Sequence, residues 1–156
     1  MQIKMQCHHS RATMKYPQLK LDNQICHRLY MASNSVVRAY RDALNELELT
    51  YPQYVVMMAL WEEDEISIAQ LLEKTAIDGG AMTQILKKMT DKSLLAVVKD
   101  ETDKRKRVVK LHKQGIQLQQ QAANIPEQIR CRFPSITQQE ATQLITLLDK
   151  LNTDLS

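Results

Sequence analysis

Residues 67–111 read SIAQLLEKTAIDGGAMTQILKKMTDKSLLAVVKDETDKRKRVVKL, and this stretch decides the fold. Ser67 with Gln70 three positions on is a capping box, in which each side chain satisfies a free backbone N–H of the other at a helix start. Ile68, Leu71 and Leu72 supply the apolar face of a short helix, and Lys74–Ile77 reads as a turn. Asp78 is placed to cap a second helix, where its carboxylate meets free N–H groups and the positive end of the helix dipole. Met82, Ile85, Leu86 and Met89 follow the i, i+3, i+4, i+7 pattern of a buried face and leave Thr83, Gln84, Lys87 and Lys88 on the opposite one. Leu95–Lys99 and Arg107–Leu111 are runs rich in β-branched residues, separated by the polar DETDKRK, which predicts a β-hairpin with a charged tip. A short helix, a turn, a basic-faced helix and a basic hairpin are the parts of a winged helix-turn-helix. Such a module lays its second helix in the major groove of double-stranded DNA and brings the wing to the adjacent minor groove.

The flanking sequence is helical. Leu21 to about Leu47 carries Ile25, Leu29, Val36, Val37, Tyr40, Leu44 and Leu47 at helical spacing. Thr50 and Gln53 form another capping box, with Pro52 in the first turn where a missing N–H does no harm. The helix they open holds Tyr54, Val55, Met58, Ala59 and Trp61, a wide apolar face that predicts a central position. After the hairpin, Ile116, Leu118 and Ala122 begin a helical block that Pro126 kinks and Pro134 ends. Thr137 and Glu140 cap a last helix through Leu151. The expected fold is therefore mainly α with a small β-hairpin: a winged helix-turn-helix over about 50–112, flanked by dimerisation helices over about 19–47 and 113–155. Residues 1–18 have no periodicity and read as a flexible tail before one domain, 19–156. Two-fold pairing of the outer helices to form a homodimer presents two reading helices to a pseudo-palindromic site.

Composition agrees. Three glycines and four prolines are too few for an all-β chain, which needs many turns. The longest apolar run, Val55–Trp61, is far short of the ~20 residues a membrane span needs. The N-terminus has no apolar core of the signal-peptide kind, so a cytoplasmic protein with no membrane partner is expected. The net charge is only +3, but its placement is informative. Within 99–110, Lys99, Lys104, Arg105, Lys106, Arg107 and Lys110 stand against Asp100, Glu101 and Asp103, so the rest of the chain is neutral on balance. A solvated hairpin tip and a solvated helix face remain the alternatives to phosphate and base contact. The three cysteines, Cys7, Cys26 and Cys131, contain no CxxC pair, and no metal or cofactor is expected. Cys7 with His8 and His9 reads as part of the tail. On residue type alone, Cys26 reads more readily as a small core hydrophobe than as a reactive thiol, and Cys131 more so.

Leu21–Gly115 resembles the MarR family of winged-helix repressors, most closely its organic-hydroperoxide-responsive members. LDNQIC (21–26) is similar to the segment with that branch's reactive cysteine, and LTYPQYVVMMALWE (49–62) to its most recognisable block. IDGGAMTQILKKM (77–89) resembles the recognition helix, and DKRKRVVKLHKQG (103–115) the wing and return strand. His27 departs from the family's usual aromatic, and Gly80 beside Gly79 loosens the start of the recognition helix.

The resemblance implies a repressor, not an enzyme, that senses organic hydroperoxides through Cys26. Thiolates are the species that attack peroxides, and phenolic O–H donors favour them. Tyr30 follows Cys26 by four residues and shares its helix face. The resemblance adds Tyr40 and Tyr51, reaching the cysteine of the other subunit, and gives Cys131 the part of an intersubunit resolving cysteine. It also places Arg105 in the minor groove, oriented by Asp103, with Lys104 and Lys106 adding phosphate contacts. For Arg107 it leaves either a phosphate contact or a turn back toward the domain. Two other classes stand beside this reading. One is a MarR-type repressor switched by a small aromatic ligand, with the cysteines incidental. The other is a thiol peroxidase, which needs a reductant docking site that no motif supplies.

Overall fold

The computed structural model describes residues 15–155. Cys7, His8, His9 and most of the expected tail lie outside the described residues. Backbone contacts divide the chain into two units, Met1–Val36 and Val37–Ser156.

In the first unit, 3-10 turns at Pro17–Leu19 and Leu21–Asn23 lead into α1 (Ile25–Glu46), whose residues from Val37 onward belong to the second unit. The periodicity predicted the helix from Leu21, and it begins four residues later. Side-chain amides account for the difference. Asn23 Nδ2 donates to the Pro17 carbonyl at 3.2 Å and Gln24 Nε2 to the Gln18 carbonyl at 2.6 Å, holding the preceding residues in tight turns. Arg28 pairs with Asp22 at 3.2 Å.

The second unit contains α2 (Tyr51–Glu62), β1 (Ile66–Ser67), α3 (Ile68–Thr75), α4 (Gly79–Asp91), β2 (Leu95–Lys99), β3 (Arg107–Leu111), α5 (Lys113–Ala122), α6 (Ile125–Arg130) and α7 (Gln138–Leu155). The capping boxes at Thr50, Ser67 and Thr137 all form, and Asp78 Oδ1 accepts from Ala81 N at 2.9 Å. The hairpin strands have the bounds read from sequence. They are two strands of a three-stranded antiparallel sheet of order β1-β3-β2, with Ile66 opposite Val109 and Val97 opposite Val109 on the other side. The third strand is held by Asp64, whose Oδ1 accepts from Leu111 N at 2.9 Å.

Two further boundaries differ from expectation. Helix α3 continues through Lys74 and Thr75 and stops at Ala76, which takes a left-handed φ of 53° and donates its N–H to the Leu72 carbonyl. Pro126 does not kink one helix: the chain breaks at Ala123–Asn124, and Pro126 occupies the first turn of α6, where no N–H is required.

The core lies in this second unit. Tyr54, Val56, Met57 and Leu60 of α2 are buried among Leu44, Leu71, Met82, Met89, Leu95 and Val109, so α2 is central as its wide apolar face predicts. Each such side chain contributes about 1.5–3 kcal/mol. Gln53 is buried too, and its Oε1 accepts from Thr50 N at 3.0 Å. Helix α7 has no buried residue, and Leu144, Ile145 and Leu147 are exposed on it. None of the described helices is long and apolar enough to cross a membrane.

Where the sheet meets α5, the backbone approach is close. A Cβ on Gly115 would lie 2.2 Å from the Leu94 carbonyl oxygen and 3.1 Å from Leu111 Cδ2. Gly115→Ala is therefore expected to destabilise the fold by about 1–3 kcal/mol through forced displacement of α5. Gly79→Ala meets nothing within 4 Å and should be neutral or slightly stabilising. Thermal unfolding followed by circular dichroism checks the pair, and equal melting temperatures would contradict the close approach.

Candidate nucleic-acid interface and thiol site

Helix α4 is anchored by Met82, Leu86 and Met89, all buried, which turns Thr83, Gln84, Lys87 and Lys88 to solvent. Thr83 Oγ1 donates to the Gly79 carbonyl at 2.8 Å, so one of the four predicted reading side chains is tied to its own helix. A groove of about 350 Å³ runs between α4 and the sheet, lined by apolar Ile68, Met82, Leu86 and Val97 and by the cations Lys87 and Arg107. A second groove, at the start of α3, is lined by Ser67, Gln70, Lys106 and Arg107. Arg107 is exposed and lines both grooves, beside α3 and α4.

The wing tip is ordered by its own carboxylates. Asp100 Oδ1 accepts from Thr102 N at 2.9 Å, Thr102 Oγ1 at 2.6 Å and Asp103 N at 2.7 Å. Backbone bonds from Asp100 N to the Lys106 carbonyl and from Lys106 N to the Asp103 carbonyl close the loop. Asp103 Oδ1 in turn accepts from Arg105 N at 3.1 Å and from Arg105 Nε at 3.2 Å, while the Arg105 side chain remains 92% exposed. Lys104 and Lys106 are exposed beside it. Of the six cations in this segment, Lys110 is engaged by Glu65, whose hydrogen bond and charge hold its ammonium above the ordinary lysine value. Asp100 was not among the predicted site residues. Its signal was the Asp-x-Thr-Asp spacing of an aspartate turn, in which a carboxylate binds the backbone two residues on.

Cys26 lies in the first turn of α1 and Cys131 directly follows α6. Both are free and exposed, so the reading of either as a core hydrophobe is overturned. Tyr30 is one turn beyond Cys26 and 67% exposed. Tyr40 and Tyr51 come together in the second unit, with ring centroids 5.0 Å apart in an edge-to-face contact. Burial, with a smaller effect from Tyr51, pushes the Tyr40 phenol above its ordinary value, so it remains protonated and able to donate. His27, beside Cys26, has a buried Nδ1 without a hydrogen-bond partner among the described residues. No cluster of three or more His, Cys, Asp or Glu suited to a metal ion occurs among the described residues.

A family model described as the MarR family matches residues 49–106. The organic hydroperoxide resistance transcriptional regulator of Bacillus subtilis (strain 168) is 33% identical over 112 residues, 72% of this chain and 76% of that protein. The chain belongs to the MarR family. It is a DNA-binding transcriptional regulator of that family, with the winged-helix fold read from residues 67–111. Among solved structures, Bordetella bronchiseptica BpsR, whose DNA binding is regulated by 6-hydroxynicotinic acid, aligns with a TM-score of 0.78 at 28% identity over 85% of this chain and 96% of that one. Overoxidized AbfR bound to DNA aligns with a TM-score of 0.71 at 26% identity, over 89% and 97% of the two chains. The relatives that match this MarR-family chain are regulators rather than enzymes.

The wing of this MarR-family regulator has an acid titration that can be measured. The Thr102 hydroxyl, followed by the Asp103 and Thr102 N–H groups, holds the Asp100 carboxyl below the usual aspartate value. A depressed carboxyl stabilises the folded wing above its unfolded-state value, and that support is lost as pH falls through the lower folded-state value. An NMR titration of Asp100 should give a midpoint below the ~3.9 of a free aspartate, and Thr102→Val should raise it. A midpoint unmoved by Thr102→Val would contradict the hydroxyl's part.

Proposed function

We propose that this MarR-family regulator is a cytoplasmic repressor that senses organic hydroperoxides by oxidation of Cys26 and then releases its operator. The carrying observation is the free, exposed thiol of Cys26 in the first turn of α1, in a chain 33% identical to a regulator of organic hydroperoxide resistance. The chain pairs as a homodimer through α1 and α7, whose exposed apolar residues include Ile25, Met31, Ile145 and Leu147. Two copies of α4 enter successive major grooves of a pseudo-palindromic duplex. Gln84 meets base edges, Thr83 offers them its methyl group and the lone pairs of a hydroxyl whose proton is bound to Gly79, and Lys87 and Lys88 meet guanine or phosphate. Arg105, braced by Asp103, enters the minor groove, where negative potential attracts a guanidinium, while Lys104 and Lys106 meet phosphates.

In the switch, the Cys26 thiolate attacks the peroxide oxygen, the O–O bond breaks, and the alkoxide leaves as an alcohol after taking a proton. Cys26 becomes a sulfenic acid. Tyr30, with Tyr40 and Tyr51 from the other subunit, donates phenolic hydrogen bonds to the thiolate. The Cys131 thiol of the other subunit then attacks the Cys26 sulfur, forming a disulfide and releasing water. The exposure of both thiols supports their access to peroxide and to each other across a dimer. The covalent link shifts the subunits, and a protein that reaches fewer phosphates binds far more weakly.

The second reading, a repressor switched by a small aromatic ligand, is favoured by the likeness to BpsR and by the partly apolar groove beside α4.

Binding is measured on a duplex selected by the wild-type protein from a random-sequence pool, with and without slight excess cumene hydroperoxide, alongside non-reducing gels. Wild type should release the duplex and gain a disulfide-linked dimer band, Cys26→Ser should do neither, and Cys131→Ser should lose the band. Equal binding by oxidised and reduced wild type would remove the redox reading and leave the ligand-switched one. On the same duplex, Lys87→Ala should weaken binding and reduce the slope of log affinity against log salt by about 1 for each phosphate it no longer neutralises. An unchanged slope would show that Lys87 meets no phosphate.

A further inference from the structure

We propose that Asp100 is a positioning residue for DNA binding, holding Arg105 in place through Asp103. The proposal rests on the reading of the wing as a DNA-contacting element and goes beyond it in assigning the residue that shapes the contact.

Asp100 is an acid in the most basic segment of the chain, and it lies in the element that approaches a polyanion. By charge alone it opposes binding, since each carboxylate near the phosphates repels them. Its geometry gives a reason for its presence. One oxygen, Oδ1, collects the Thr102 N–H, the Thr102 hydroxyl and the Asp103 N–H, all within 2.9 Å. Those bonds fix the backbone of Asp103. The Asp103 carboxylate then grips Arg105 at both its main-chain N–H and its Nε. The Arg105 side chain has no packing to order it, being 92% exposed. Its direction depends on the Asp103 carboxylate, and the place of that carboxylate depends on Asp100. A long side chain ordered before binding loses less conformational freedom on meeting DNA. The same bonds hold the Asp100 carboxyl below the usual aspartate value, so it stays ionised and accepting further into the acid range.

Charge and positioning predict opposite signs, which makes the proposal testable. Asp100→Ala and Asp100→Asn remove the same negative charge. Asparagine retains a carbonyl oxygen whose two lone pairs can accept the Thr102 and Asp103 N–H groups that shape the loop, and alanine retains none. On the selected duplex, Asp100→Asn should bind as tightly as wild type or tighter. Asp100→Ala should bind about tenfold more weakly, despite its more favourable charge. In an Arg105→Ala background, Asp100→Ala should cause no further loss and should bind as tightly or slightly tighter, because the positioning part is already gone and only the removal of negative charge remains. Melting temperatures of the variants show that the fold is intact. Tighter or equal binding by Asp100→Ala, with a normal loss for Arg105→Ala, would overturn the proposal alone. A full additional loss in the Arg105→Ala background would overturn the route through Arg105. No loss for Arg105→Ala itself would overturn the proposal together with the wing reading beneath it.

Discussion

The second unit depends on one crowded junction, where the first turn of α5 crosses the start of β2. The Leu94 carbonyl accepts from His112 N at 2.9 Å, and Gly115 lies so close to that carbonyl that no side chain fits. The Gly115 carbonyl in turn accepts from the Trp61 indole N–H at 2.9 Å. Sheet, α5 and α2 are thereby joined within a few residues. From Trp61 the contact continues through Tyr54, at 6.2 Å between ring centroids, to Tyr40, at 5.8 Å, and on to Tyr51. An unbroken series of rings therefore links the lower part of α1 to the joint from which the wing springs.

The exposed side of the unit is organised by a different force. Aliphatic packing fixes where α4 and the strands lie, but it does not fix solvent-exposed lysines and arginines. The chain meets that need with carboxylates placed among the cations. Glu65 engages Lys110, Asp103 engages Arg105, and Asp100 shapes the loop that carries Asp103. The acids in the basic segment lower its net charge and raise its order. Lys87 and Lys88 on α4, and Lys104 and Lys106 on the wing, remain exposed.

Much of the architecture was legible in the sequence because its determinants are local. A capping box spans four residues, an amphipathic helix repeats within two turns, and the hairpin is bounded by its own polar tip. These signals placed α2, α4, β2 and β3 within a residue or two. What escaped was set by partners distant in sequence. Strand β1 is two residues long, hidden in the capping signature of α3, and exists because Asp64 and Val109 meet it from elsewhere in the chain. The break before α6 follows from Ile125 and Ile129 turning into the core, which the proline alone did not reveal. The candidate site divided in the same way. Spacing put Tyr30 on the face of Cys26 and set four polar residues on α4. The exposure of the two cysteines is a property of the whole fold, and sequence left it open. The aspartate turn at Asp100 was readable but overshadowed by the lysines and arginines around it.

Trp61 is the only tryptophan in the chain. Its indole N–H is bound to Gly115, and its ring rests on Tyr54. The natural protein therefore carries its own optical probe at the joint between α2 and α5. Its ultraviolet emission reports on that joint without any attached dye, and it reads out movement there separately from events at the DNA.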